Sequence, residues 1–195
     1  MATLLERPVE VHCHPPVHAF GEQARLDRLL LESPGQLAAR FAAAPAPEDL
    51  GLLEGDPVCR ALLRGGPTVR RWAASPSSPW IGKSFELVGD NRLLGHNRLR
   101  WLGGTRTLAF TAAIGRSVRD GRPALILRYD DPEVASPRWT HAIHDELREI
   151  EPGLLAGPAA ILLRRKRPLT LCWFAIDALA DRPGSHGGAR SLAGA

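Results

Sequence analysis

Glu146 poses the sharpest chemical question in this 195-residue chain. It stands in Pro137–Gly157, PRWTHAIHDELREIEPGLLAG, a stretch with apolar runs of strand character on both sides. A step of ~100° per residue gathers Trp139, Ile143, Leu147 and Ile150 into one stripe and puts Glu146 inside it or at its edge. A carboxylate on such a face must be hydrogen-bonded, paired with a cation, or protonated. Three readings are open: a structural pair with an arginine of a neighbouring strand, the polar end of a ligand cavity, or exposure at the stripe edge. In the second, a desolvated Glu146 with a raised pKa exchanges protons, and His96 or Arg128 stabilises developing negative charge.

Other chemistry-bearing groups are weaker. His141 and His144 are one helical turn apart, but Arg148 lies between them on the wheel and would repel a metal ion. His12, Cys13, His14 and His18 invite a metal reading, yet Pro15-Pro16 intervenes and no second ligand cluster follows. No metal site is expected. The cluster Arg164-Arg165-Lys166-Arg167 reads as a solvated hairpin tip that keeps a sheet end soluble. No phosphate loop, dinucleotide fingerprint, nucleophile elbow or zincin helix is present, so no cofactor is expected.

These residues need elements to position them. Ser136 can cap a helix over 137–151, Pro137 suits its first position, and Pro152-Gly153 would end it. Before it, SPSSP at 75–79 marks a switch to β structure. Strands are expected over Trp80–Val88, Leu93–Trp101, Arg106–Arg116 and Ala124–Tyr129, and after the helix over Ala159–Leu163 and Leu169–Asp177. In the first of these, Lys83 shares the parity of the apolar residues Ile81, Phe85 and Leu87. Asp120-Gly121 is a strong hairpin signal. Upstream, helices are expected over Gly21–Glu32 and, capped by Ser33, over Pro34–Ala43. Pro57–Leu63 and Pro67–Ala73 are shorter helical candidates, and Pro47–Leu50 a helical turn.

The expected architecture is α+β: an antiparallel β-barrel or strongly curved sheet over 80–177, with the helix 137–151 inserted between strands. Residues 1–20 are read as irregular, 21–75 as a helical segment packing on or capping the barrel, and 181–195 as a disordered tail. Hydrophobic residues make up 44% of the chain, enough for one sizeable core. Formal charge is +4. Arginine far outnumbers lysine, as coding from a GC-rich bacterial genome would produce, and the charges are mixed, so nucleic-acid binding is not expected. Three widely spaced cysteines make no disulfide framework. MATLLERPVEVHCHPP lacks the pattern of a secretory leader, and no apolar run is long enough to span a membrane. A cytoplasmic protein is the expectation.

Two patches carry a resemblance. Trp80-Ile81-Gly82-Lys83-Ser84-Phe85 resembles a tryptophan-glycine-lysine-phenylalanine opening, and Asp145–Gly157, DELREIEPGLLAG, resembles its later partner motif. Together with the ALILRY and CWFAID strands, they are similar to a loosely characterised group of bacterial proteins over residues 80–177. The implied form is similar to calycins, the lipocalin-like barrels that hold apolar ligands. Unlike true lipocalins, this chain lacks a Gly-x-Trp opening, and its expected helix falls between strands. The resemblance carries over no catalytic residue.

Two functions follow. One is a barrel that binds a small apolar metabolite, lined by Phe85, Leu108, Phe110, Leu127, Tyr129 and Trp173. The other is a cofactor-independent cyclase, isomerase or lyase acting on an apolar, polyketide-like metabolite, with Glu146, His96 and Arg128 as catalytic candidates.

Overall fold

Alternating apolar and polar residues build most of this fold as strands. The structure, a computed structural model, describes residues 24–63, 68, 69, 72, 75, 78–89, 91–100, 106–162 and 168–180. The segment 1–20 with its His and Cys cluster, most of Pro67–Ala73, the basic residues 164–167 and the tail 181–195 lie outside the described residues. The strands are Val58–Leu62 (β1), Trp80–Leu87 (β2), Arg92–Leu99 (β3), Arg106–Arg116 (β4), Pro123–Arg128 (β5), Ile143–Glu151 (β6), Leu154–Leu162 (β7) and Pro168–Asp177 (β8). They form one antiparallel sheet in the order β1-β8-β7-β6-β5-β4-β3-β2.

The sheet curls into a nearly closed barrel. Its end strands meet where the Lys83 N–H donates to Cys59 Sγ at 3.4 Å. Just before β1, Gly55 and Phe85 exchange two backbone hydrogen bonds of 2.8 Å. Pairing across the seam leaves little open edge for another chain to extend.

Both faces of the sheet bury apolar residues. Inside are Phe85, Leu93, Phe110, Leu125, Leu127, Leu147, Phe174 and Ile176. Leu50 and Leu53, from a 3-10 turn, join this interior from the lower end. Outside, helices Ala24–Leu29 (α1) and Pro34–Ala43 (α2) cover Leu62, Ala124, Ile126, Leu154, Trp173 and Ala175. The start of α2 is as expected: Ser33 Oγ accepts from the Gln36 N–H, and the Gln36 side chain accepts from the Ser33 N–H. At Gly95 on β3 the Phe110 ring lies against the backbone where a side chain would otherwise project. The ring thereby reaches the barrel centre.

Two helical expectations are overturned. The helix over 137–151 does not form: a 3-10 turn, Arg138–Ala142, leads into strand β6. The stripe arithmetic misleads because β6 is buried on both faces. Asp145 and Leu147 face inward while Glu146 and Arg148 face outward under cover, and all four are at most 2% exposed. Alternation of apolar and polar types, the usual strand signature, is therefore lost. Pro152-Gly153, read as a helix stop, is a two-residue hairpin turn between Glu151 and Leu154, with Gly153 at φ 67°. The second overturned helix is 57–63, where Val58–Leu62 is strand β1 paired with β8. Local preference of Arg, Ala and Leu for helix yields to this long-range pairing. To the six strands expected, β1 and β6 add two, giving eight among the described residues, and β7 begins earlier than expected, at Leu154.

Candidate functional site

Among the described residues the barrel encloses one polar centre, built from four strands or their ends. Lys83 (β2), Asn97 (β3), Tyr129 (just after β5) and Asp145 (β6) are each at most 5% exposed. The period-two repeat puts Lys83 inward with Phe85, and Asp145 inward with Leu147. Lys83 Nζ donates to Asn97 Oδ1 at 3.0 Å, to Tyr129 Oη at 2.8 Å and to Asp145 Oδ2 at 2.9 Å. The Tyr129 hydroxyl donates to Asp145 Oδ2 at 2.9 Å. Asn97 Nδ2 donates to Tyr129 Oη at 3.0 Å, and Trp80 Nε1 donates to Asn97 Oδ1 at 3.0 Å. The ammonium also sits 4.9 Å from the Phe110 ring centroid and 5.0 Å from that of Phe174, positions favourable for cation–π attraction. Asp145 Oδ1, buried, has no hydrogen-bond partner among the described residues.

The electrostatics follow from this geometry. Burial opposes the charge on Lys83, but Asp145 and Tyr129 more than offset it and raise its pKa above the ordinary lysine value. Lys83 is therefore a fixed cation at neutral pH and not an amine nucleophile. Burial, reinforced by the Asp145 carboxylate, raises the Tyr129 phenol, so its proton stays in place as a donor. Cys172 lies on the inward parity of β8 with Phe174 and Ile176. Burial and then Asp145 push its thiol up to about 11, leaving it protonated.

A backbone irregularity adjoins this centre. Between β3 and β4, His96 pairs with Ala109 and Asn97 with Thr107, so Leu108 is the extra residue of a β-bulge. Its φ is 53°, unusual for a leucine. Asn97 Nδ2 donates to the Leu108 carbonyl at 3.5 Å. Leu108 joins Trp80, Ile143 and Ala159 as half-buried apolar residues packed against the interior. All four belong to the upper end of the barrel, where β2, β4, β6 and β8 begin. The lower end is occupied by the chain around residues 42–45 and by Leu50 and Leu53.

Of the residues expected to line a cavity, Phe85, Leu108, Phe110, Leu127 and Tyr129 pack in or against the interior. Trp173 is placed on the outer face, edge-on to Phe41 of α2 with centroids 6.0 Å apart. The three catalytic candidates are not brought together around the interior. Arg128 is on the outer face and pairs with Asp130 at 3.2 Å. His96 is half-buried on β3, on the parity opposite to Asn97. Glu146 is 1% exposed, but on the outer face opposite Ile126. Its Oε1 accepts from the Val118 N–H at 2.8 Å and lies 3.0 Å from His144 Nε2, while Oε2 accepts from Ser117 Oγ at 2.5 Å.

Sequence reasoning passed over Asp145, Asn97 and the role of Lys83. The signal was there in part: Lys83 keeps apolar parity in WIGKSFEL, an odd position for a surface lysine. Read as a strand, IHDELREIE sets Asp145 beside Ile143 and Leu147. Among the described residues no three His, Cys, Asp or Glu side chains converge as a metal site would require. No helix among them is long and apolar enough to cross a membrane.

No protein-family model and no curated protein matches the chain. A solved structure of a protein from Thermomonospora curvata aligns with 83% of this chain and 99% of its own, at 14% identity and a TM-score of 0.47.

Proposed function

We propose that this protein binds one small, largely apolar molecule at the upper end of its barrel, directly above the Lys83–Asp145 pair. The observation that carries the reading is a buried polar centre in an otherwise apolar interior, beside half-buried apolar residues. Such a centre is poor at stabilising a fold. Removing an ion pair from water costs several kcal/mol per ion by order of magnitude, and apolar replacements are often neutral or stabilising. A bound molecule gives the arrangement a use: the half-buried Trp80, Leu108, Ile143 and Ala159 supply apolar contact and the polar centre supplies orientation. The bulge at Leu108 fits this reading, since strained backbone gathers at functional sites. Tyr129 and Lys83 serve in it as fixed hydrogen-bonding groups.

The test is mass spectrometry of small molecules that co-purify with the full chain, repeated with Lys83→Met/Asp145→Leu. The expected result is a compound retained by the wild type, recovered chemically unchanged and lost from the double variant. A compound bound equally by both proteins would separate binding from this centre. Conversion of the retained compound on incubation would replace a binding role with a catalytic one.

A further inference from the structure

The hydrogen-bond count of the polar centre restricts what its ligand can be; this rests on the binding role proposed above. An ammonium has three protons, and those of Lys83 are directed at Asn97, Tyr129 and Asp145. The Tyr129 hydroxyl has one, given to Asp145. The Asn97 amide gives its two to Tyr129 Oη and the Leu108 carbonyl. The Trp80 indole gives its one to Asn97. Every strong donor of the centre is thus engaged. Asp145 is different: Oδ2 accepts two hydrogen bonds, whereas Oδ1, equally buried, accepts none among the described residues. A buried carboxylate oxygen without a donor is costly, so a molecule that supplies one gains a charge-assisted bond.

We infer that the ligand is read as a hydrogen-bond donor, a neutral apolar molecule whose hydroxyl or N–H meets Asp145 Oδ1, and that carboxylates are rejected. A carboxylate would meet a lysine whose protons are already committed and whose charge is already balanced by Asp145. It would also place a second negative charge beside the first. Cys172 brings an inward thiol that feels the Asp145 charge, and a thiol donates too weakly to hold an anion. An ether or ketone brings only acceptors, and none of the centre's strong donors is available for them. Alcohols, phenols and amides satisfy the centre, whereas fatty acids do not.

The test compares naphthol, methoxynaphthalene and naphthoate, which share one apolar body and differ in the polar group. Binding to the full chain is followed by calorimetry and by the Trp80 indole N–H resonance, assigned with Trp80→Phe. Naphthol is expected to bind about tenfold or more tighter than methoxynaphthalene, as one charge-assisted bond implies. It should also shift the Trp80 signal, and naphthoate should bind weakest. In Lys83→Met/Asp145→Leu, the advantage of naphthol over methoxynaphthalene should vanish while both still bind. Equal binding of naphthol and methoxynaphthalene by the wild type, or tightest binding of naphthoate, would overturn the donor rule and leave the binding role standing. If none of the three released heat or moved the Trp80 signal, the binding role would fall and the donor rule with it. The wild-type ranking decides the matter on its own should the double variant fail to fold.

Discussion

Glu146 and Asp145 are adjacent in the chain, yet their carboxylates lie on opposite faces of one strand. Burial pushes the Glu146 carboxyl up, but hydrogen bonds involving His144, Ser117 and the Val118 N–H outweigh it and hold the pKa below the ordinary glutamate value. The unfolded chain therefore takes up this proton more readily than the folded one. Glu146 contributes stability above the ordinary glutamate range, and the contribution is lost as pH falls through the depressed folded value. Glu146→Gln removes an acceptor from this set and is expected to cost about 1–3 kcal/mol near neutral pH. Urea unfolding at neutral and mildly acidic pH checks both points: the difference between variant and wild type should shrink on acidification. A difference that stayed constant with pH would mean that the carboxylate charge has no part in holding the 117–118 turn.

At the level of elements, Arg148 does for the outer face what Lys83 does for the inner. Its fully buried guanidinium donates to both oxygens of Asp120 at 2.6 and 2.8 Å, and to the carbonyls of Phe41, Pro123 and Arg122. It also lies 4.4 Å from the Phe41 ring centroid. One side chain on β6 thus joins the β4–β5 hairpin to the end of α2. Arg148→Lys keeps the charge but cannot reproduce the planar fork, and the carbonyls and carboxylate oxygen it leaves without a donor are expected to cost about 1–3 kcal/mol. Hydrogen exchange should show α2 losing protection before the barrel strands; uniform loss would deny the joint its local role. The hydrogen bond from Arg148 draws the Asp120 carboxyl down to about 2. Its contribution is complete above the ordinary aspartate range and fades as pH drops from there through about 2. The hairpin itself was legible in Asp120-Gly121, as α2 was in Ser33 and the barrel strands were in their alternation. Strand β6 was not, because Arg148 and Glu146 are polar residues whose outward face is covered. Their partners, Asp120, Ser117 and Val118, are distant in sequence, and no local pattern announces them. The inner site was half legible: Phe85, Phe110 and Tyr129 followed from alternation, whereas Asp145 was hidden by the helical reading of its strand.

Over the whole molecule, the barrel depends on residues upstream of the resemblance-bearing region. β1 supplies the neighbour of β8, and Leu50 and Leu53 fill the lower end. A chain starting at Ser78 would expose the edge of β8 and open the lower interior to water. It is expected to aggregate or self-associate on size-exclusion chromatography; a monomer unfolding with the midpoint of the full chain would show that closure is dispensable. The two-residue turn at Pro152-Gly153 has a consequence for which insertions and deletions the gene can tolerate. That turn fixes the register of β6 against β7. One residue added between Arg148 and Glu149 would move everything from Ile143 to Arg148 by a single step. Glu146 would then take the inward place of Asp145, and Arg148 that of Leu147, carrying a guanidinium into the apolar centre. One residue added in the 131–136 loop leaves this parity untouched. A scan of single-residue insertions, scored by yield of folded protein, should therefore show a sharp intolerant block across β6 flanked by a permissive loop. The side of the sheet on which each charge resides is a counting property of the chain, exposed to frame-preserving insertions and deletions far more than to most substitutions.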